Sequence, residues 1–102
     1  MKELKGAQKK YLRGLAHGLN PAAFVGQKGV TTALINEINE GLEANELIKV
    51  KFIDFKEKDI KKSLAAEIAL QTNSYLTGII GHVAIYYREN RDVQKRRITI
   101  PT

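Results

Sequence analysis

Residues 22–32 run Ala22-Ala23-Phe24-Val25-Gly26-Gln27-Lys28-Gly29-Val30-Thr31-Thr32, an apolar segment, a glycine-bounded turn and a helix start in succession. Ala22–Val25 is short, apolar and bounded by Pro21 and Gly26, the pattern of a buried strand. Gly26-Gln27-Lys28-Gly29 reads as a loop, and Thr31 or Thr32 can cap a helix behind it. That helix is expected to run to about Ala44, with Val30, Leu34, Ile35, Ile38 and Leu42 inward and its glutamates toward water; Asn45 is the stop signal. Leu47–Phe55 follows as the clearest strand, Ile48, Val50 and Phe52 alternating with Lys49 and Lys51. Strand, helix and strand in succession predict a right-handed crossover between parallel strands.

Working outward, Lys5–Leu19 reads as a helix with Leu4, Tyr11, Leu12, Leu15, Ala16 and Leu19 on one face. Lys2, Lys5, Lys9, Arg13 and His17 form a second stripe at steps of three and four. Pro21 disfavours helical geometry at Asn20 and ends the helix. On the other side, Lys58–Thr72 reads as a third helix burying Ile60, Leu64 and Ile68. Tyr75–Ile80 and Val83–Tyr87 are strands separated by Gly81-His82, a two-residue hairpin signature. Arg96–Ile100 is expected to add a short edge strand within the basic segment 89–102. The order α-β-α-β-α-β-β predicts an α/β fold: a two-layer sandwich of three helices on one face of a four-stranded mixed sheet, in a single domain over residues 1–102. The other sheet face would show Lys49, Lys51 and strand tyrosines.

The chain carries 17 Lys+Arg against 11 Asp+Glu, a net charge of +6 that is unevenly spread. Residues 1–30 are strongly basic, whereas residues 31–47 carry only Glu37, Glu40, Glu43 and Glu46. One acidic element among basic ones favours a polyanion partner on part of the surface, because clustered cations bind phosphates and displace counterions. With no cysteine, disulfide scaffolds, cysteine nucleophiles and thiolate metal sites are excluded. The longest wholly apolar run, Val83–Tyr87, is far short of the roughly 20 residues that span a bilayer. The opening Met1-Lys2-Glu3-Leu4-Lys5 leads into polar sequence rather than a secretory signal, so a cytoplasmic protein is expected.

The loop between the first strand and second helix is the strongest chemical signal. Gly26 and Gly29 both permit positive φ and close backbone approach. The N–H groups and dipole at the helix start favour an anion. Lys28 adds a mobile cation. Such a loop can clamp a nucleic-acid backbone as the GXXG loop of KH domains does. It matches neither a Walker loop nor a dinucleotide fingerprint. If the first helix runs antiparallel to the first strand, its N-terminal half brings Lys5, Lys9 and Lys2 beside Lys28, with Arg13 extending the track. A parallel second strand would bring Lys56 and Lys58 to the same edge.

Other constellations are weaker. His17 is expected as a phosphate or capping contact and His82 as a turn residue. Asp54, Glu57 and Asp59 are interleaved with Lys56 and Lys58 and read as a solvated turn rather than an acid pair. Ser63 and Ser74 have no recognisable base. No enzyme activity, cofactor or metal is therefore expected. Tyr75, Tyr86 and Tyr87 are expected to pack rather than stack on bases, since Tyr86 and Tyr87 must point to opposite faces. The alternative to RNA binding is a protein-interaction adaptor using Glu37, Glu40 and Glu43 of the acidic second helix against a basic partner.

The run Tyr11-Leu12-Arg13-Gly14-Leu15-Ala16-His17-Gly18-Leu19-Asn20-Pro21 resembles the opening signature of the CRM domain in its single-domain bacterial YhbY form. Val25-Gly26-Gln27-Lys28-Gly29-Val30-Thr31, Glu46–Lys51, Ile80-Gly81-His82 and Tyr87-Arg88 fit the same pattern in order; Glu89 stands where many members have a proline. The resemblance implies an RNA-binding domain similar to the C-terminal domain of translation initiation factor three. It also implies a partner in precursor ribosomal RNA of the large subunit, as for bacterial stand-alone members, with ribosomal proteins as neighbours. Plant relatives serve group II intron splicing. The candidate RNA contacts are then Gly26, Gln27, Lys28, Gly29 and Thr31 at the loop and Lys5, Lys9, Arg13 and His17 on the first helix.

Overall fold

The structure, a computed structural model, describes residues 3–102. The elements are α1 (Gly6–Ala16), β1 (Pro21–Val25), α2 (Thr32–Asn45), β2 (Leu47–Phe52), α3 (Lys58–Thr72), β3 (Tyr75–Ile80) and β4 (Val83–Tyr87), with a 3-10 turn at Val93–Lys95. The four strands form one mixed sheet in the order β1-β2-β4-β3. β1 and β2 are parallel, with Ala23 opposite Val50 and Val25 opposite Phe52. β4 lies antiparallel between β2 and β3, pairing Leu47 with Tyr87 and Lys51 with Val83 on one side and Ile80 with Val83 on the other.

Alternation along the strands separates two cores. On one face Val25, Ile48, Val50, Phe52 and Tyr86 meet Leu34, Ile35, Ile38 and Leu42 of α2 and Ala65 and Ile68 of α3. This is the expected shared layer for the second and third helices. The first helix does not join it. Leu12 and Ala16 of α1 pack on the opposite face against Leu47, Ile85 and Tyr87. The sheet is covered on both sides, and the two-layer expectation is corrected in this respect. The reason lies in β4, where Val83-Ala84-Ile85-Tyr86-Tyr87 is apolar at every position and needs cover on both faces.

α1 is also shorter than expected, ending at Ala16, where His17 N donates to Gly14 O at 3.3 Å and Leu19 N to Ala16 O at 3.0 Å. Arg13 fastens it to β3: Nη1 donates to Thr77 O at 2.8 Å, and the side chain lies so close over Gly78 that a Cβ there would be 2.5 Å from Arg13 Cδ. β1 alternates between exposed and buried positions, leaving Phe24 52% exposed rather than buried. As an edge strand it has a partner on one side only.

The expected edge strand at Arg96–Ile100 does not form. Ile98 and Ile100 instead pack onto the α1-side core, and the N–H groups of Arg97 and Ile98 donate to Glu46 Oε1 at 2.6 and 3.0 Å. Tyr86 and Tyr87 are both buried, as expected for packing residues, and Tyr87 stacks on Tyr75 with ring centroids 6.3 Å apart. Burial, and after it the Glu46 carboxylate, pushes the Tyr87 hydroxyl up to about 12. The two tyrosines should respond oppositely to loss of the hydroxyl. Tyr86 Oη donates to Ala65 O at 2.8 Å, so Tyr86→Phe should cost about 1 kcal/mol in chemical denaturation. Tyr87 Oη is buried without a partner among the described residues, so Tyr87→Phe should be neutral or stabilising.

Candidate nucleic-acid interface

β1 ends at Val25 and the chain turns at once. Gly29 N donates to Gly26 O at 3.0 Å, closing a four-residue turn with Gln27 and Lys28 exposed at its tip. Only Gly29 has a left-handed backbone, at φ 68°; Gly26 does not, so the expectation for the two glycines holds at one. A Cβ at Gly26 would meet nothing within 4 Å, so the missing side chain leaves room in front of the turn rather than inside the fold. Thr31 Oγ1 accepts from Leu34 N at 3.1 Å and caps α2. That bond occupies the hydroxyl as a cap and aims the helix N-terminus, with its partial positive charge, to the turn side.

The parallel pairing of β1 and β2 carries the segment after β2 to the same edge. Ile53 N and Asp54 N both donate to Val25 O, at 2.9 and 3.1 Å. Phe55 then presents its ring to Gly29, 3.6 Å from where a Cβ would stand. Lys56 and Lys58 follow, both exposed, as expected from the strand direction. The acids among them serve the helix: Glu57 caps α3, accepting from Asp59 N at 3.2 Å and Ile60 N at 3.1 Å.

The β3–β4 hairpin closes the edge. Phe52 N donates to His82 O at 2.8 Å. The largely buried Lys61 reaches from α3 to donate to Gly81 O at 2.7 Å and to His82 Nδ1 at 3.2 Å. An ammonium has no acceptor, so Nδ1 must be the unprotonated nitrogen. Desolvation and the cations of Lys61, Lys56 and Lys51 hold the His82 pKa below its ordinary value. The imidazole is thus neutral at neutral pH, and the positive charge at this edge resides in the lysines.

The basic face of α1 is placed differently from expectation. Leu4 packs with Tyr75 and Tyr87, and Gln8 Nε2 donates to Pro101 O at 3.0 Å. These contacts put Lys5 and Lys9 at the end of the sheet where β2 begins, whereas the Gly26–Gly29 turn stands where β2 ends. The expected cradle of Lys5 and Lys9 around Lys28 is therefore not formed. α1 crosses to the other sheet face because β4 is apolar on both sides, and its direction there leaves the N-terminal half far from the turn. Lys2 lies outside the described residues. The C-terminal end of α1 does approach the hairpin end: Arg13, His17 and Lys49 border a small hollow with Ile80, Val83 and Ile85, and Lys49 Nζ donates to His17 O at 3.0 Å.

The acidic face of α2 is partly used within the chain. Glu43 pairs with Arg88 at 3.6 Å, and Glu40 and Glu43 share a groove with Lys95, Arg96 and Arg97. Glu46, counted with them in the sequence, is wholly buried. Two further residues escaped the sequence reading. Phe55, expected as the end of the strand that stops at Phe52, has a left-handed backbone at φ 56° and is 38% exposed. Lys61, one lysine among many, ties α3 to the hairpin. Neither position carries a local signal in the sequence.

Residues 4–88 match the CRS1 / YhbY (CRM) domain family. The Bacillus subtilis protein YqeI, named as a probable RNA-binding protein, is 38% identical over 98 residues, covering 96% of this chain and 99% of that one. A Haemophilus influenzae protein named as RNA-binding is 34% identical over 94 residues, covering 92% of this chain and 94% of its own. The solution structure of SAV1595 from Staphylococcus aureus, described as a candidate RNA-binding protein, superposes with a TM-score of 0.81 at 36% identity, over 97% of this chain and all of that one.

Proposed function

The chain belongs to the CRS1 / YhbY (CRM) domain family, and on that premise we propose that it binds RNA through the Gly26–Gly29 turn and the lysine edge beside it. Its RNA is precursor ribosomal RNA of the large subunit, and it acts there in the cytoplasm as an assembly factor, without catalysing a reaction. The names of its relatives support RNA as the partner. The observation that carries the site is the convergence of cations at one end of the sheet. Lys51, Lys56 and Lys61 all act on His82, and Phe55 joins the segment that carries Lys56 to the turn that carries Lys28.

In this reading the turn and the N-terminus of α2 take a phosphate while Lys28 and Lys56 neutralise its neighbours, contacts that position RNA without reading its sequence. Gln27 lies at the tip, and Thr31 serves by capping the helix. Arg13 and His17 extend the surface onto the α1 face. Lys5 and Lys9 would be reached only by an RNA that continues along α1.

Binding of a large-subunit RNA fragment, measured over a salt series, tests this. Lys28→Ala should weaken binding several-fold and flatten the salt slope by about 0.7–0.9, the value of one lost phosphate contact. Lys9→Ala separates a short site from a long one, since only an RNA that tracks α1 loses affinity there. Unchanged affinity and slope in Lys28→Ala would remove the turn from the site. Crosslinks mapped in cells should concentrate in large-subunit RNA; a dispersed pattern would defeat the assembly role and leave general RNA binding.

A further inference from the structure

We infer that Phe55 is a base-stacking platform, so that the site takes an unpaired nucleotide whose phosphate lies at the Gly26–Gly29 turn and whose base lies on the Phe55 ring. This rests on the RNA-binding reading above and adds to it the class of RNA, single-stranded rather than duplex.

Three observations lead here. Phe55 has a backbone φ of 56°, a region in which a bulky side chain is disfavoured and glycine or asparagine is at ease. Local strain of this kind concentrates at functional positions held by their surroundings. Here the hold is visible, because the two preceding N–H groups are both fixed to Val25 O. Phe55 is also 38% exposed, with the edge of its ring beside Gly29 and Lys56 next to it in the chain. Finally, the tyrosines of β3 and β4 are taken up elsewhere: Tyr86 and Tyr87 are buried, and Tyr75 is stacked on Tyr87.

An exposed aromatic beside a phosphate clamp is the combination by which proteins hold single strands. Every base has a π-face, so stacking tolerates sequence, and a base inside an A-form duplex cannot offer that face. Among the described residues the competing platforms are Phe24, 52% exposed on the α1 face of β1, and Tyr11, 40% exposed on α1.

The chain has no tryptophan, so Phe55→Trp supplies a single indole at the proposed contact, excited selectively at wavelengths beyond the absorption of the four tyrosines. Its emission should be quenched by an oligouridylate, saturating where labelled-RNA anisotropy saturates, and should be little changed by an RNA duplex. Phe55→Leu should lose about 5- to 150-fold in oligouridylate affinity, the range for one stacked base. Phe55→Asn relieves the backbone; it should keep the melting temperature and lose the same affinity, which a merely structural ring would not do. If Phe55→Leu binds like the wild type while Lys28→Ala is weakened, the platform is refuted and the RNA site stands. Loss at Phe24→Leu instead of Phe55→Leu would also refute it. Failure of the wild-type protein to bind either RNA would overturn both readings.

Discussion

Glu46→Ala is expected to lower the stability of the domain by about 3–5 kcal/mol, as for a buried charge-assisted network broken from one side. The Glu46 side chain is fully buried, and its carboxylate gathers three backbone donors: Asn90 N to Oε2 at 2.7 Å, with Arg97 N and Ile98 N sharing Oε1. Its own backbone is equally committed, at φ 65°, with Glu46 N donating to Leu42 O and Arg88 N donating to Glu46 O, both at 2.8 Å. One residue thus ends α2, starts β2 and holds the C-terminal segment over the α1-side core. Hydrogen bonds to a charged acceptor are each worth about 1.5–3 kcal/mol, but the freed segment can turn its donors to water, which bounds the loss. Glu46→Gln keeps the shape but offers one acceptor and points an NH2 at a donor, so roughly half the loss is expected.

Urea denaturation measures the stability, and hydrogen exchange at Arg97 and Ile98 reports the segment directly. A loss below about 1 kcal/mol with unchanged exchange would show that the carboxylate is not the anchor. Combining Glu46→Ala with removal of residues 90–102 should give much less than the sum of the two effects, since both delete the same contacts. RNA affinity of the folded variant should be unchanged, because Glu46 stands at the end of the sheet away from the turn.

The second large effect is on binding. Lys28→Glu combined with Lys56→Glu should weaken RNA binding by about 100-fold or more at low salt and reduce the single-strand salt slope by about 1.4, two contacts' worth. Both side chains are exposed and in no ion pair among the described residues, so stability should stay within about 0.5 kcal/mol. Glu40→Lys, which adds charge on α2, is the control and should not weaken binding. A loss under about 5-fold in the double variant would mean that the phosphates lie elsewhere.

Much of the fold is legible in local pattern. Lys58–Thr72, Tyr75–Ile80 and Val83–Tyr87 are read with their observed bounds, because turn residues punctuate them and the strand pair is joined by two residues only. The parallel pairing that sets Lys56 and Lys58 beside the turn follows from the crossover rule. The layer taken by α1 was written in β4, whose residues are apolar at both parities, but the stripe on α1 says only that it must pack, not on which face. Phe55 and Glu46 were out of reach for a different reason. A left-handed backbone at a phenylalanine or glutamate has no sequence signature, and a carboxylate that binds backbone N–H groups 44, 51 and 52 residues away looks like any surface acid.

Periodicity, turn chemistry and charge are local properties, so the order of elements, the turn at Gly26–Gly29 with its lysine, and the family resemblance are all legible in the residues alone. Which cations share an edge depends on the direction of a helix across a sheet, a matter of long-range packing. Only long-range packing sends the lysines at the start of α1 to the far end of the sheet and draws Lys61 of α3 into the hairpin beside His82, leaving Lys56 and Lys58 as the cations that the strand direction brings to the turn's edge.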